Sequence, residues 1–363
     1  MTIILFILIL ALLIFVHELG HFLAAKAIGA RVDEFGLGFP PKLLSKKYKG
    51  TEYSLNILPL GGYVKIYGEN PEEGELSEVN KKDNFAYKPK WQQAIVLVAG
   101  VTFNIILAWI FLSIGLMYGM PMSVSNVDKG VLVNPELTVI QVGPGTPAEK
   151  AGLLTGDVIN VVNDSQTKMA ELSVDGFKNI VASNNQVSLE ILRNGEILNL
   201  DIKPEKGVWS NDVPAIGVGL DMVGIWQLPP HKAVISGAKL TGVMLVSMTQ
   251  SFGELVKIIS TGDKKVTEVI SGPIGIAGMV GDAKDIGWLY LLTFTAFISL
   301  NLAVINLVPF PALDGGRLLF LFIEFVKGSP INPKIVNILN LIGFVLLITL
   351  MVVVSVGDIG RLF

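Results

Sequence analysis

Four long apolar runs constrain the fold of this chain more than any other feature of its sequence. They lie at about residues 3–28, 94–126, 286–313 and 335–357. Each can cross a hydrocarbon core of about 30 Å, which takes roughly 20 residues of helix. Because backbone groups in lipid must be hydrogen-bonded within the protein, the runs predict four transmembrane helices.

Composition agrees with an integral membrane protein. Of the 363 residues, 51% are hydrophobic and only 16% are charged, whereas ordinary globular domains contain roughly 25% charged residues. A formal net charge of −3 gives no electrostatic basis for binding nucleic acid, so no nucleic-acid partner is expected. The chain has no cysteine, which excludes disulfides, thiolate metal ligands and thiol nucleophiles.

The distribution of basic residues predicts how the helices are oriented. Ten Lys and Arg residues lie between the first two runs, and three lie between the last two. Because short loops rich in Lys and Arg stay in the cytoplasm, both chain ends are predicted to lie outside it. A cleaved signal peptide is the alternative interpretation of the first run, but no Lys or Arg precedes that run.

The first run carries a His-Glu-Leu-Gly-His pentapeptide at residues 17–21. On a helix with about 3.6 residues per turn, His17 and His21 lie on one face, where they can bind one metal ion. Glu18 then lies beside that ion and can take a proton from the attacking water. H-E-x-x-H is typical of zinc hydrolases, and ionisable side chains at membrane depth indicate function.

A catalytic zinc takes three protein ligands, so the two histidines need a third partner. Asp314 follows the third run, and Pro309 and Pro311 break the helix before it, which frees backbone groups to face a site. His231, the third histidine, is predicted to lie on the outer side, about a membrane thickness away. We therefore expect Asp314 to be the third ligand.

Residues 51–67, between the first two runs, predict a β-hairpin with its turn at Pro59 to Gly62. Both faces of its strands carry apolar residues, which is unusual for an exposed loop. Such a hairpin can enter the membrane only if protein covers its backbone.

The section from about 122 to 285 is too polar to cross a membrane. Within it, residues 187–202 alternate around Asn194–Gly195, which predicts a hairpin. Residues 143–159 contain a short predicted helix ending near Gly152, followed by a strand. This stretch resembles the bacterial PDZ domain, and PDZ domains bind peptides at a sheet edge. A β-rich spacer without a ligand is the alternative.

The predicted chain therefore has four parts. Residues 1–121 contain the first two membrane helices, the pentapeptide and the hairpin, and residues 122–210 form a PDZ-like domain outside the cytoplasm. Residues 211–285 are a connector whose predicted helix, at about 233–259, lies along the membrane or packs within a soluble domain. Residues 286–363 contain the last two membrane helices and Asp314.

Together these motifs resemble the site-2 proteases, which are intramembrane zinc metalloproteases, in the bacterial regulator-of-sigma-E branch. The resemblance covers nearly the whole chain and is carried by the pentapeptide, residues 61–65, Phe103-Asn104, the PDZ insertion, residues 271–275 and residues 306–315. It implies an endopeptidase of the bacterial inner membrane that cleaves transmembrane segments of single-pass proteins near the cytoplasmic side. Anti-sigma factors and signal-peptide remnants are the substrates it suggests.

The resemblance also implies roles for individual residues. His17, His21 and Asp314 would bind one Zn²⁺ per chain, with Glu18 as the base. Asn306 would hold the substrate backbone or stabilise the oxyanion, and Asn104 would do the latter or be structural. The family holds its substrate in an extended form, with elements that match Gly36, Gly38, Gly61, Gly62 and Tyr63.

Simpler interpretations stay open for several of these residues. Asn104 and Asn306 could bond between helices, and Gly36 and Gly38 could be turn residues only. The chain as a whole could be a membrane adaptor with a structural metal, or a metal transporter. Glu18 argues against the adaptor because a structural site needs no base. Two departures from the family pattern are the single PDZ-like domain and Val101, where relatives usually have proline.

Overall fold

The computed structural model describes residues 2–69, 81–124, 133–162, 173–193, 195–208, 213–261 and 272–362. These residues form two compact units, each described by itself. Unit 1 comprises Met1–Ser113 and Val234–Phe363, and unit 2 comprises Ile114–Ala233.

The helices and strands are numbered along the chain. The α-helices are α1 (Thr2–Ala27), α2 (Lys90–Tyr118), α3 (Pro147–Lys150), α4 (Val174–Ser183), α5 (Pro230–Thr261), α6 (Pro273–Ile286), α7 (Trp288–Leu307), α8 (Asp314–Lys327) and α9 (Pro333–Leu362). The strands are β1 (Val32–Tyr48), β2 (Thr51–Ile66), β3 (Met120–Ser123), β4 (Val133–Val142), β5 (Val158–Val162), β6 (Val187–Arg193), β7 (Glu196–Ile202) and β8 (Val218–Trp226).

Helices α1, α2, α7 and α9 are long and apolar enough to cross a membrane. They coincide with the four apolar runs, so the predicted membrane fold of about four spanning helices is confirmed. Within the most apolar stretch of each helix, only 22% of residues in α1 and 6% in α9 are buried by protein. The apolar side chains that protein does not bury form the surface that lipid would contact.

Two helices of unit 1, α6 and α8, were not predicted. Helix α8 lies where the sequence analysis expected a loop, begins at Asp314 and ends at Gly328, whose φ of 73° is left-handed. An acidic residue in the first turn and a glycine after the last turn both favour a helix at this place. Asp314 therefore opens a helix of its own instead of ending the third membrane helix.

Helix α6 is held at its N-terminus by a side chain from the far end of α9. Asp358 is buried, and its carboxylate accepts hydrogen bonds from the backbone N–H groups of Gly272 (3.2 Å) and Gly275 (2.9 Å). A carboxylate is a favourable partner for the free N–H groups that open a helix. A Cβ at Gly272 would lie 2.7 Å from Asp358 Oδ2, so glycine there lets the carboxylate approach the helix end; Ser271 itself lies outside the described residues.

The predicted hairpin at residues 51–67 was wrong in its pairing. Strands β1 and β2 form an antiparallel pair whose tight turn is at Lys49 and Gly50, with φ of 47° and 81°. Two consecutive residues of positive φ suit the tight hairpin turn, because their twist matches that of the strands. Residues 51–56 and 62–66 therefore do not pair with each other across Pro59 to Gly62.

Strands β1 and β2 are long, and they pair with each other in three separate stretches. Residues 34–37 pair antiparallel with 62–65 on one side and parallel with 52–55 on the other side. Residues 42–48 pair antiparallel with 51–56. Both strands must reverse near their midpoints to satisfy these registers. The resulting sheet has four segments in the order 62–66, 32–37, 51–56 and 42–48, with residues 62–66 at one edge.

One carboxylate connects all four segments of this sheet. The Glu34 Oε1 atom accepts hydrogen bonds from Ser54 Oγ (2.7 Å) and Tyr63 Oη (2.8 Å), and Lys42 Nζ lies 2.7 Å away. Burial raises the pKa of Glu34, but the bonds from Lys42, Ser54 and Tyr63 outweigh it and hold the pKa below its ordinary value. The edge segment is therefore held in place by an ionised group.

We expect Glu34→Gln to destabilise unit 1 at neutral pH by about 1–3 kcal/mol, because hydrogen bonds to a charged group are lost. A lowered folded pKa means that this contribution is present above the unfolded pKa of about 4.3 and is lost as the pH falls through the folded pKa. Melting temperatures at pH 7 and at pH 4 or below test this, with Glu254→Gln, at an exposed glutamate of α5 in the same unit, as the control. An equal deficit at both pH values would contradict it.

Unit 2 is β-rich. Its six-stranded sheet has the order β3-β8-β4-β5-β6-β7. The predicted hairpin is present as β6 and β7, which pair from Val187 with Ile202 to Arg193 with Glu196; Asn194 lies outside the described residues. The predicted short helix is α3, followed by Gly152 with a φ of 82°. Strand β8 pairs with β3 and β4, although the sequence division placed residues 218–226 in the connector.

A buried ion pair fixes the loop that leads into β5. Asp157 is fully buried, and Arg193 of β6 donates to both of its oxygens at 2.7 Å. The Asp157 carboxylate also accepts from the backbone N–H of Leu154 at 2.8 Å. This bonding explains the aspartate near the end of the motif at 143–159, since Asp157 joins the loop to the neighbouring hairpin.

Candidate metal centre

Three side chains of unit 1 meet at one point. The Nε2 atom of His17 lies 3.0 Å from Asp314 Oδ2, His21 Nε2 lies 3.2 Å from the same oxygen, and the two Nε2 atoms are 3.2 Å apart. Among the described residues, this is the cluster of His, Cys, Asp or Glu side chains that could hold a metal ion. His231 is not part of it.

The size of this triangle fits a zinc ion. Tetrahedral zinc with bonds of about 2.0–2.1 Å to nitrogen and oxygen places its ligand atoms roughly 3.3 Å apart. The three observed separations are 3.0, 3.2 and 3.2 Å. Two imidazoles and one carboxylate also form a ligand set that catalytic zinc takes, with the fourth position left for water.

A tight turn between α7 and α8 brings Asp314 to the histidines. Its backbone is left-handed at Ala312, with a φ of 75°, and the Ala312 N–H donates to Asn340 Oδ1 of α9 at 3.1 Å. A Cβ at Gly315 would lie 2.2 Å from the carbonyl oxygen of Val308, so α8 can start this close only with glycine there. The Leu-Asp-Gly sequence therefore shapes the turn as well as supplying the carboxylate.

One face of α2 packs against both histidine rings. Its residues Val96, Gly100 and Asn104 are spaced four apart, so they lie along one side of the helix. His21 Nδ1 donates to the carbonyl oxygen of Val96 at 2.8 Å, and the Asn104 amide lies 3.3 Å from His17 Nδ1. A Cβ at Gly100 would lie 2.4 Å from His21 Nε2. The absence of a side chain at Gly100 therefore makes room for the cluster.

A cavity of about 760 Å³ opens beside the cluster. Glu18 lines it, and the edge segment of the sheet runs next to this side chain, since a Cβ at Gly62 would lie 3.1 Å from Glu18 Cγ. The wall consists of residues from α1, β2 and the segment after it, α2, the turn before α8, α8 and α9: Glu18, His21, residues 62–66, Glu69, Leu97, Ala312, Asp314, Arg317, Asn337, Asn340, Leu341 and Phe344.

A second cavity of about 720 Å³ adjoins the first and shares part of its lining, including Glu69 and Arg317, which form an ion pair. Lys90 and Glu324 form another ion pair in its wall. Charged groups along both cavities favour water over lipid. The arrangement therefore offers water a polar route to Glu18.

The other residues that the sequence predicted for the site fall into three groups. Gly62 and Tyr63 line the larger cavity. Gly36 lies under the Tyr63 ring, and Gly61 lies under the Phe39 ring, so both glycines make room for aromatic side chains. The remaining two residues, Gly38 with a φ of 82° and Asn306 of α7, are not among the residues lining either cavity.

Two asparagines of the site were not predicted. Asn337 and Asn340 of α9 line both cavities, and Asn340 also fixes the turn at Ala312. No sequence motif surrounds either residue. Their spacing of three in an otherwise apolar helix was the available signal, because it places two amides on one face of the helix.

Comparison with known proteins gives consistent matches. The family model described as Peptidase family M50 matches residues 5–350. A zinc metalloprotease RasP of Oceanobacillus iheyensis is 30% identical over 441 residues, covering 100% of this chain and 99% of that protein. The regulator of sigma-W protease RasP of Bacillus subtilis is 30% identical over 438 residues, with the same coverage. The solved PDZ domain of an SdrC-like protein of Listeria monocytogenes matches 24% of the chain and 90% of its own, at 22% identity and a TM-score of 0.21.

Proposed function

The chain belongs to peptidase family M50 and is a zinc-dependent intramembrane protease, and we propose that its substrates are transmembrane segments of single-pass membrane proteins. The membrane adaptor and the metal transporter are set aside by this family membership. The observation that supports the proposal most is the cavity that joins Glu18, Asp314 and an open sheet edge at residues 62–66.

We assign the metal ligands and the base within this cavity. His17, His21 and Asp314 would hold one zinc per chain, as their triangular arrangement supports. When bound, zinc supplies a Lewis acid that makes water nucleophilic near neutral pH. Glu18 follows His17 directly on α1 and lines the cavity, so it can accept the proton from water and pass it to the leaving amine.

The edge segment offers a way to hold an unwound substrate. Residues 62–65 pair with 34–37 on one side, and no strand of the described residues pairs with their other side. A transmembrane helix must open before its peptide bonds can be cut, which leaves backbone groups without hydrogen bonds in apolar surroundings. An extended substrate added beside residues 62–65 would recover those bonds and lie next to Glu18.

The proposed location and substrates are supported by sequence patterns and by the names of the relatives. The bacterial relatives favour a bacterial inner membrane. The basic loops favour a catalytic cavity near the cytoplasmic side, with both chain ends outside the cytoplasm. The name of the Bacillus subtilis relative, a regulator of sigma-W protease, supports anti-sigma factors as clients, with signal-peptide remnants as the second class. Unit 2 would bind a client segment outside the membrane, as the PDZ-like pattern at 143–159 suggests.

Site-directed crosslinking tests the edge-strand proposal. Because the chain has no cysteine, a single cysteine at Val64 on the proposed edge, or at Ser45 on the opposite edge, gives an unambiguous probe. In a Glu18→Gln background, a transmembrane peptide carrying one cysteine should form a disulfide with Val64→Cys and not with Ser45→Cys. Equal crosslinking at both positions, or crosslinking at Ser45→Cys alone, would overturn it.

A further inference from the structure

The side chain of Asn104 is buried where neither substrate nor solvent reaches it. The residue is fully buried in α2, and it does not line either cavity. Its Nδ2 atom lies 3.3 Å from Nδ1 of His17, and its Oδ1 atom is buried without a hydrogen-bond partner among the described residues. An oxyanion-stabilising group would have to face the cavity, so Asn104 requires another explanation.

We propose that Asn104 is a positioning residue for the zinc ligand His17. The proposal rests on the zinc ligation proposed above, in which His17 presents Nε2 to the metal. An imidazole that binds metal through Nε2 carries its proton on Nδ1, and this N–H needs an acceptor. A half turn of the Asn104 amide exchanges Nδ2 for Oδ1 and supplies that acceptor without moving either backbone.

The burial of His17 makes a hydrogen-bond acceptor for its Nδ1–H important. His17 and Asn104 are both buried among membrane helices, where an N–H without an acceptor is destabilising. Without this bond, packing against α2 alone would hold the ring in the orientation that aims Nε2 at Asp314. Asn104 therefore fixes both the proton position and the orientation of the ring, as acceptors commonly do for histidines that bind metals.

The arrangement parallels that of the second histidine. His21 Nδ1 bonds to the carbonyl oxygen of Val96, eight residues before Asn104 on the same face of α2. One helix thus supplies both histidines with partners for their outer nitrogens. The backbone of Asn104 is itself held, because its carbonyl oxygen accepts from Ser299 Oγ of α7 at 2.8 Å. Asn104 thereby contacts both α1, through His17, and α7, through Ser299.

Zinc affinity measured by chelator competition tests the proposal without relying on activity. Asn104→Leu, which has a similar size and no acceptor, should bind zinc about 10–100-fold more weakly. Asn104→Asp keeps an acceptor and should stay within a few-fold of the wild type. Asn301→Leu is the matched control, since the Asn301 amide bonds only within α7, to the Phe297 carbonyl oxygen, in the contacts the structure describes.

Melting of the chelated proteins separates positioning from helix packing. If Asn104 acts on His17, chelated Asn104→Leu melts like chelated wild type and the deficit appears only with zinc. A similar loss with and without zinc, or equal weakening by Leu and Asp, would overturn the proposal. A wild-type protein that binds no zinc would instead refute the proposed ligation, so the two failures are distinguishable.

Discussion

Glu18→Gln is expected to lower the rate of peptide cleavage by about 10²–10⁴-fold, the range over which a general base contributes. The amide keeps the size of the carboxylate but cannot accept the proton from water. Because Glu18 is not one of the three clustered ligand atoms, zinc content should stay at one per chain. The measurement is the single-turnover rate on a synthetic transmembrane peptide, with zinc determined in the same sample.

A matched variant separates the loss of the base from a general effect of removing charge. Glu254 lies on α5 and is not among the residues lining either cavity, so Glu254→Gln should cleave like the wild type. If the rate of Glu18→Gln stayed within about threefold of the wild type, the role assigned to Glu18 would be wrong.

Gly100→Ala is expected to weaken zinc binding by about 100-fold or more, beyond the range typical of lost ligand partners. The added Cβ would lie 2.4 Å from His21 Nε2 and 2.8 Å from His17 Cε1, which are atoms of the two imidazole rings at the cluster. Either the rings or α2 must move, and in both cases the triangle of ligand atoms is lost. Metal analysis and chelator competition on the purified protein measure the effect.

The same substitution in an open position provides the control. Gly242 lies within α5, and a Cβ there would have no heavy atom within 4 Å. Alanine is a better helix former than glycine, so Gly242→Ala should leave zinc binding unchanged and preserve or raise stability. Wild-type zinc affinity in Gly100→Ala would contradict the geometry described for the cluster.

Local patterns in the sequence were enough to predict the elements on which the site is built. Four apolar runs gave the four long helices, because spanning length and hydropathy are properties of single segments. The spacing of His17 and His21 placed them on one face. The hairpin of β6 and β7 and the helix before Gly152 followed from turn residues adjacent in the sequence.

Apart from the proximity of Asp314 to the two histidines, contacts between distant segments could not be predicted in this way. The double pairing of residues 34–37 depends on two reversals in strands that contain prolines and lysines, which local propensity disfavours. The roles of Val96, Gly100 and Asn104 depend on the packing of α2 against α1, which no local motif specifies. Strand β8 pairs with β4 from about 80 residues away. Tertiary packing determines these features, and local patterns in a single sequence do not reveal that packing.

Zinc-edge X-ray absorption of the purified wild type and of Asp314→Ala tests whether His17, His21 and Asp314 bind zinc. We expect one zinc per chain, with a spectrum fitted by two imidazole nitrogens and additional oxygen ligands at about 2.0–2.2 Å. In Asp314→Ala, zinc should be lost or an oxygen ligand should disappear. A wild type without stoichiometric zinc, or a spectrum unchanged by the substitution, would show that these residues are not the zinc ligands.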